Sequence, residues 1–133
     1  MKRILVIEDE PCIAHLIAFN FQQAGYQVAI AENGVDALRQ VDLFLPHLII
    51  LDLLLPLQSG WDVLYAVRRH PRKQTASTPI IVISALCSPQ LHNDLRHHGV
   101  EHCLAKPFSV TELSLLAHTL LSKPDATMMS TSL

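Results

Sequence analysis

Leu48-Ile49-Ile50-Leu51-Asp52-Leu53-Leu54-Leu55-Pro56 is the stretch on which the reading of this chain turns. A short, unbroken apolar run suits a strand covered on both faces. Here an acid, Asp52, closes it. The same pattern recurs at Ile4-Leu5-Val6-Ile7, closed by Glu8-Asp9, and at Ile80-Ile81-Val82-Ile83, closed by Ser84. A later short strand runs into Lys106-Pro107. In an open parallel sheet the carboxyl ends of the strands form one crevice, where ligands bind. Three carboxylates, a hydroxyl and an ammonium would therefore meet there.

Working outward, strand and helix signals alternate along the chain. Strands are expected at about 3–7, 27–31, 47–51, 79–83 and 100–104. Pro11 sits where a helix tolerates proline in its first turn. Ile13, Leu16, Ile17, Phe21 and Ala24 follow at helical spacing, and Gly25 ends the pattern. Asn33-Gly34 opens a second helix with Val35, Leu38 and Val41 on one stripe. Gly60 opens a third, carrying Val63, Leu64 and Val67. The segment 70–78 reads as a polar loop. Ser88-Pro89 reads as a cap and first-turn proline, followed by Leu91 and Leu95 and closed by Gly99. Ser109 and Glu112 have capping-box spacing ahead of Leu113, Leu116, Ala117, Leu120 and Leu121.

Five strands alternating with five helices make a doubly wound α/β domain, with right-handed crossovers limiting the topology. The domain is expected over 1–121. The Ser/Thr-rich stretch 122–133 has no period and reads as a disordered tail.

Composition narrows the function. The chain has 133 residues, half of them hydrophobic and 17% charged, enough for one folded domain with a real core. A net charge of −2 without a basic stripe argues against direct nucleic-acid binding. Arg68, Arg69, Arg72 and Lys73 read as a solvated helix end. Three cysteines, Cys12, Cys87 and Cys103, without CxxC spacing fit a reducing compartment better than a disulfide framework. The apolar run after Met1-Lys2-Arg3 is too short for a signal peptide or a membrane span, so a cytoplasmic location is expected. His92, His97, His98 and His102 with Cys103 read as surface histidines near a helix end rather than a metal cluster.

The chemistry of the crevice is specific. A carboxylate can act as nucleophile and form an aspartyl phosphate. Mg²⁺ takes oxygen ligands and typically only one or two carboxylates besides waters and phosphate oxygens. Glu8, Asp9 and Asp52 supply such a half-site. Lys106 can offset charge on a phosphoryl group, and Ser84 can hydrogen-bond to it.

These residues make the chain resemble the receiver domains of two-component response regulators, including the single-domain chemotaxis type with its flavodoxin/CheY-like sheet order 2-1-3-4-5. The matching pieces are Glu8-Asp9, Asp52 within Leu51–Pro56, Gly60, Ser84-Ala85 and Lys106-Pro107-Phe108. They fall in order within 2–121. The resemblance implies that Asp52 accepts a phosphoryl group from a sensor histidine kinase or a histidine phosphotransfer protein. It implies that Asp9, Asp52 and the Leu54 backbone carbonyl bind Mg²⁺ directly, with Glu8 acting through water. Ser84 and Lys106 would hold the phosphoryl oxygens.

Three departures from the family pattern bear on output. Cys103 stands where the family usually carries an aromatic that changes rotamer on phosphorylation. Leu54 and Leu86, two residues after Asp52 and Ser84, are large and apolar beside the path of the hydrolytic water. Their bulk is expected to exclude that water and slow loss of the phosphoryl group. Charged pairs are sparse over the last two helices and the strand between them, so a monomer or weak dimer is expected.

No output domain is evident after Leu121, which favours a stand-alone switch acting on an unknown protein target. A phosphorelay intermediate and a degenerate receiver scaffold are the alternatives within the family. An aspartate-nucleophile phosphatase would need an Asp-x-Asp pair after its first strand. A nucleotide-binding domain would need a glycine-rich loop where Glu8-Asp9-Glu10-Pro11 stands.

Overall fold

The computed structural model describes residues 1–122; of the tail expected at 122–133, Ser122 ends the last helix and 123–133 lie outside the described residues. The order of elements is β1 (Arg3–Ile7), α1 (Pro11–Gln23), β2 (Gln27–Ala31), α2 (Gly34–Phe44), β3 (Leu48–Asp52), α3 (Gly60–Arg68), α4 (Lys73–Ala76), β4 (Ile80–Ser84), α5 (Pro89–Arg96), β5 (His102–Ala105) and α6 (Val110–Ser122). The five strands are parallel in the order β2-β1-β3-β4-β5, as expected.

Side chains alternate across the sheet with the two-residue strand period. Ile4, Val6, Leu48, Ile50, Ile81 and Ile83 join α1 and α6 in one core. Leu5, Ile7, Ile49, Leu51 and Val82 face α2, α3 and α5 in the other. Every residue of β3 and β4 is buried, which accounts for their unbroken apolar runs.

The helices depart from the expected stripes in a consistent way. Leu16 and Val35 are exposed, whereas Ala14, Ala18, Gly34 and Ala37 are buried. Small residues let these helices approach the sheet closely, so the larger neighbours turn outward. The most demanding approach is at Gly60, where a Cβ would lie 2.5 Å from Leu53 Cα and 2.6 Å from Asp52 O. The start of α3 is thus pressed onto the backbone that carries Asp52.

A sixth helix, α4, replaces the expected polar loop at 70–78. It has no apolar period of its own, and Arg68 secures it. The Arg68 Nη1 donates to Ala76 O at 3.0 Å and Thr78 O at 2.8 Å. Its Nε donates to His98 O at 2.7 Å and its Nη2 to Gly99 O at 3.3 Å. Arg68 is therefore not a solvated charge: it ties α3 to α4 and to the turn after α5. Burial lowers its pKa.

Helix ends follow their sequence signals in most places. Asn33, Ser59, Ser88 and Ser109 each accept a hydrogen bond from a backbone N–H three residues on. Glu10 caps α1 without such a bond, so only its charge favours the helix start. β5 begins two residues later than expected because Gly99 turns at φ 73° and Val100 packs into the core first.

Candidate functional site

Strand register assembles the pocket. β1 and β3 pair Ile7 with Leu51, so Glu8 and Asp52 emerge side by side as those strands end. Glu8 N also donates to Ala31 O at 3.0 Å, which fixes its backbone against β2. β4 and β5 pair Ser84 with Ala105, and Lys106 N donates to Ser84 O at 2.8 Å. β5 lies two strand spacings from β3, about 10 Å. The long lysine side chain spans that gap past the end of β4.

Lys106 Nζ reaches Glu8 Oε1 at 3.0 Å, Glu8 Oε2 at 3.3 Å and Asp52 Oδ2 at 3.0 Å. The remaining Asp52 oxygen, Oδ1, accepts from Leu54 N at 3.1 Å. Glu8 is fully buried and Asp52 nearly so, whereas Asp9 is exposed. Oxygens of Glu8, Asp9 and Asp52 lie within 4.8 Å of one another.

One ammonium facing three carboxylates leaves the pocket short of positive charge. Glu8 registers the imbalance. Burial, then the hydrogen bond and charge of Asp52, push its carboxyl up to about 7 against the opposing pull of Lys106. Burial alone would pull Lys106 down. Its hydrogen bonds to Asp52 and Glu8, with their charges, outweigh that and raise it.

The donor set fits Mg²⁺. Octahedral coordination at 2.0–2.1 Å puts neighbouring oxygens about 2.9 Å apart and opposite ones about 4.2 Å apart. Carboxylate oxygens within 4.8 Å of one another need to close by at most about 1.9 Å to become neighbouring ligands and by at most about 0.6 Å to become opposite ones. Oxygen ligands alone suit a hard cation.

Ser84 is buried at the same edge, and its Oγ accepts from Leu86 N at 3.2 Å. Across the site, the segment between Asp52 and α3 turns tightly. Gln58 N donates to Pro56 O at 2.8 Å around Leu57, whose φ is 71°. This is a γ-turn with positive φ, an uncommon and strained shape for a side-chain-bearing residue. Gly34 closes on Gln58 so tightly that a Cβ there would overlap its side chain, and Gly34 N donates to Pro56 O at 3.3 Å. The segment is thus braced against α2.

Leu54 and Leu86 stand 74% and 78% exposed. Such exposure gives no support to the steric exclusion of water expected from their bulk; the lack of a hydrogen-bonding group at either position remains. Trp61 packs against Tyr65 and His98, with centroids 6.1 and 6.2 Å away, so it reports on the contact of α3 with the turn after α5.

The family model for the response regulator receiver domain matches residues 4–118. The chain belongs to that family. A DNA-binding dual master transcriptional regulator, RpaA of Synechocystis, is 36% identical over 125 residues, covering 94% of this chain and 51% of that protein. PhoP of Bacillus subtilis, an alkaline phosphatase synthesis transcriptional regulatory protein, is 31% identical over 127 residues, 93% of this chain and 50% of its own. This receiver thus spans about half the length of the curated relatives it matches. Among solved structures, the receiver domain of Francisella response regulator 1452 superposes with a TM-score of 0.82 at 30% identity, covering 91% of this chain and 97% of its own. The chemotaxis response regulator CheY4 of Vibrio cholerae gives 0.82 at 28% identity, covering 90% and 98%.

Read from the sequence, His92 and Cys103 belong with His97, His98 and His102 in a surface group that does not include Cys87; the structure groups them differently. Cys87, His92 and Cys103 converge with their ligand atoms within 4.8 Å of one another. The sequence showed no paired spacing, because the fold, not local chain, joins the loop after β4, the α5 face and mid-β5.

Proposed function

We propose that this receiver takes a phosphoryl group onto Asp52 from a sensor histidine kinase or a histidine phosphotransfer protein and signals by binding a protein target. The observation that carries the reading is Lys106 bridging buried Glu8 and Asp52, with Asp9 beside them. That arrangement lacks positive charge until a cation arrives and has a cation of its own to give a phosphoryl group.

In this reading Asp9, Asp52 and the Leu54 carbonyl hold Mg²⁺ directly, and Glu8 acts through water. The bound ion supplies charge neutralisation for the phosphoryl oxygens. An Asp52 carboxylate oxygen attacks phosphorus, and the donor's leaving group departs with its bond electrons. Lys106 and the Ser84 hydroxyl then hold phosphoryl oxygens. Catalysis is positioning and electrostatics rather than proton transfer, as phosphoryl transfer generally is. Apart from this transfer to its own side chain and slow loss of the group, the protein is not an enzyme.

Its relatives' names describe transcriptional regulators, and for this chain a separate protein target in the cytoplasm is part of the proposal. No basic stripe supports direct nucleic-acid contact. Among the described residues, no helix is long and apolar enough to cross a membrane. The protein acts as a monomer or weak dimer before phosphorylation. The test is incubation with acetyl phosphate, with Mg²⁺ or with EDTA, followed by intact mass. One phosphoryl adduct with Mg²⁺ and none with EDTA is expected. Equal labelling in both would refute the metal-assisted reading.

A further inference from the structure

We propose that Cys87, His92 and Cys103 form a binding site for a thiophilic closed-shell cation, Zn²⁺ being the reference ion. Their ligand atoms lie within 4.8 Å of one another. Tetrahedral Zn²⁺ with Zn–S of 2.3 Å and Zn–N of 2.0–2.1 Å puts ligand atoms about 3.5–3.8 Å apart. A closure of at most about 1.3 Å therefore completes three ligands, with the fourth position open to water.

The three side chains come from different elements and one from each. Cys103 lies in β5, opposite Val82 in register, and packs against the core beneath α5. His92 lies in the second turn of α5, where its N–H donates to Ser88 O at 3.0 Å. Cys87 lies in the loop that leads from Ser84 to α5. All three are half-buried, which leaves a path for an ion from solvent. Rigid placement of two ligands on a strand and a helix favours a defined geometry over an adaptable one.

The chemistry separates this site from the acidic pocket. Two sulfurs and an imidazole suit a soft or borderline cation and not Mg²⁺, whereas the carboxylates have the opposite preference. A disulfide between the two thiols would leave His92 without a role. Zn²⁺ displaces the thiol protons as it binds, so its affinity for this site rises with pH.

The position has a consequence for signalling. Cys87 is three residues past Ser84, and Cys103 is three residues before Lys106. On the proposed function, a bound ion would tie the loop after β4 to β5 beside Ser84 and Lys106, the two residues proposed to hold the phosphoryl group.

The experiment uses the full chain under a phosphine reductant, with saturating Mg²⁺ to occupy the acidic pocket. Calorimetry with Zn²⁺ should give one site per chain. Co²⁺ should give a thiolate-to-metal charge-transfer band and the intense visible bands of a tetrahedral ion. Loss of a residue that merely orients a ligand costs about 10–100-fold in affinity, so losing a ligand should cost at least about 100-fold. Cys87→Ser and His92→Ala, in the loop and on the helix face, should each do so while keeping the wild-type circular dichroism. Cys103→Ser is the third arm. Absence of the charge-transfer band, or unchanged Zn²⁺ affinity in the folded Cys87→Ser protein, would overturn the proposal. So would facile Cys87–Cys103 crosslinking by mild oxidant without measurable Zn²⁺ binding. None of these results depends on phosphorylation of Asp52.

Discussion

Replacing Lys106 by methionine removes the charge and keeps most of the side chain's bulk. At 3.0 Å and an effective dielectric of about 20, one ion pair is worth about 5–6 kcal/mol before desolvation is subtracted. Breaking a buried pair typically costs 3–5 kcal/mol because the partner charge is stranded. Two features lower the figure here. The lysine side chain retains 22% exposure, and Glu8 can take up a proton once Lys106 is gone. The expected loss in EDTA near neutral pH is therefore about 1–3 kcal/mol.

The pH dependence follows from the direction of the Glu8 shift. Its folded pKa of about 7 lies above the ordinary 4.5, so the folded state holds the extra proton between those values. Wild-type stability in EDTA should fall as pH rises through that window and level off above it. At 1.36 kcal/mol per pKa unit the total from Glu8 is at most about 3 kcal/mol. Without Lys106 the Glu8 pKa rises further, so the decline should continue above about pH 7 in the variant. Mg²⁺ should stabilise Lys106→Met more than wild type, because the ammonium no longer competes for Glu8 and Asp52. Urea unfolding at about pH 6, 7 and 8, in EDTA and in Mg²⁺, measures all of this. A variant within about 0.5 kcal/mol of wild type, with no larger gain from Mg²⁺, would refute the ion-pair reasoning.

Other expectations concern single residues. Phosphorylated protein should lose its phosphoryl group slowly, because neither Leu54 nor Leu86 can hydrogen-bond a hydrolytic water; Leu54→Asn and Leu86→Glu should each shorten the lifetime by about tenfold or more in a phosphate-release time course. Unchanged lifetimes would show that some other group positions the water. Arg68→Lys cannot reproduce the fork that serves four carbonyls, and it should cost about 2 kcal/mol by urea unfolding, with faster amide exchange in α4. His47 Nδ1 accepts from Arg3 N at 2.9 Å and so must stay unprotonated to keep that bond. Burial first, then Arg3, Lys2 and the N-terminus, lower its pKa. Its folded value lies below the unfolded 6.5, so its contribution to stability is full above 6.5 and lost as pH falls through the folded value. NMR titration should show His47 deprotonating below the ordinary histidine range.

Strands closed by acids were plain in the sequence because burial on both faces leaves an unbroken apolar run, as at Leu48–Asp52. The pocket was legible for the same reason at Glu8, Asp52 and Ser84, which close such runs; Lys106 follows the less buried β5, and parallel pairing aligns all the ends. Helix faces were less plain. Counting large apolar residues put Leu16 and Val35 inward, but the sheet accepts Ala14, Ala18 and Ala37 because they allow closer packing. α4 was invisible, since an arginine outside it supplies its fixing bonds. His92 and Cys103 read as part of a surface histidine group, and Cys87 was not legible as their companion because three elements must fold before the three meet.

The most direct test of the central claim is to find the phosphoryl group on the chain. Borohydride reduces an acyl phosphate, so an aspartyl phosphate is converted to homoserine. After treatment with acetyl phosphate and Mg²⁺, reduction and peptide sequencing by mass should place homoserine at position 52 and nowhere else. The Asp52→Ala protein should yield none. Homoserine at another position, or a phosphoryl adduct that survives in Asp52→Ala, would contradict the account.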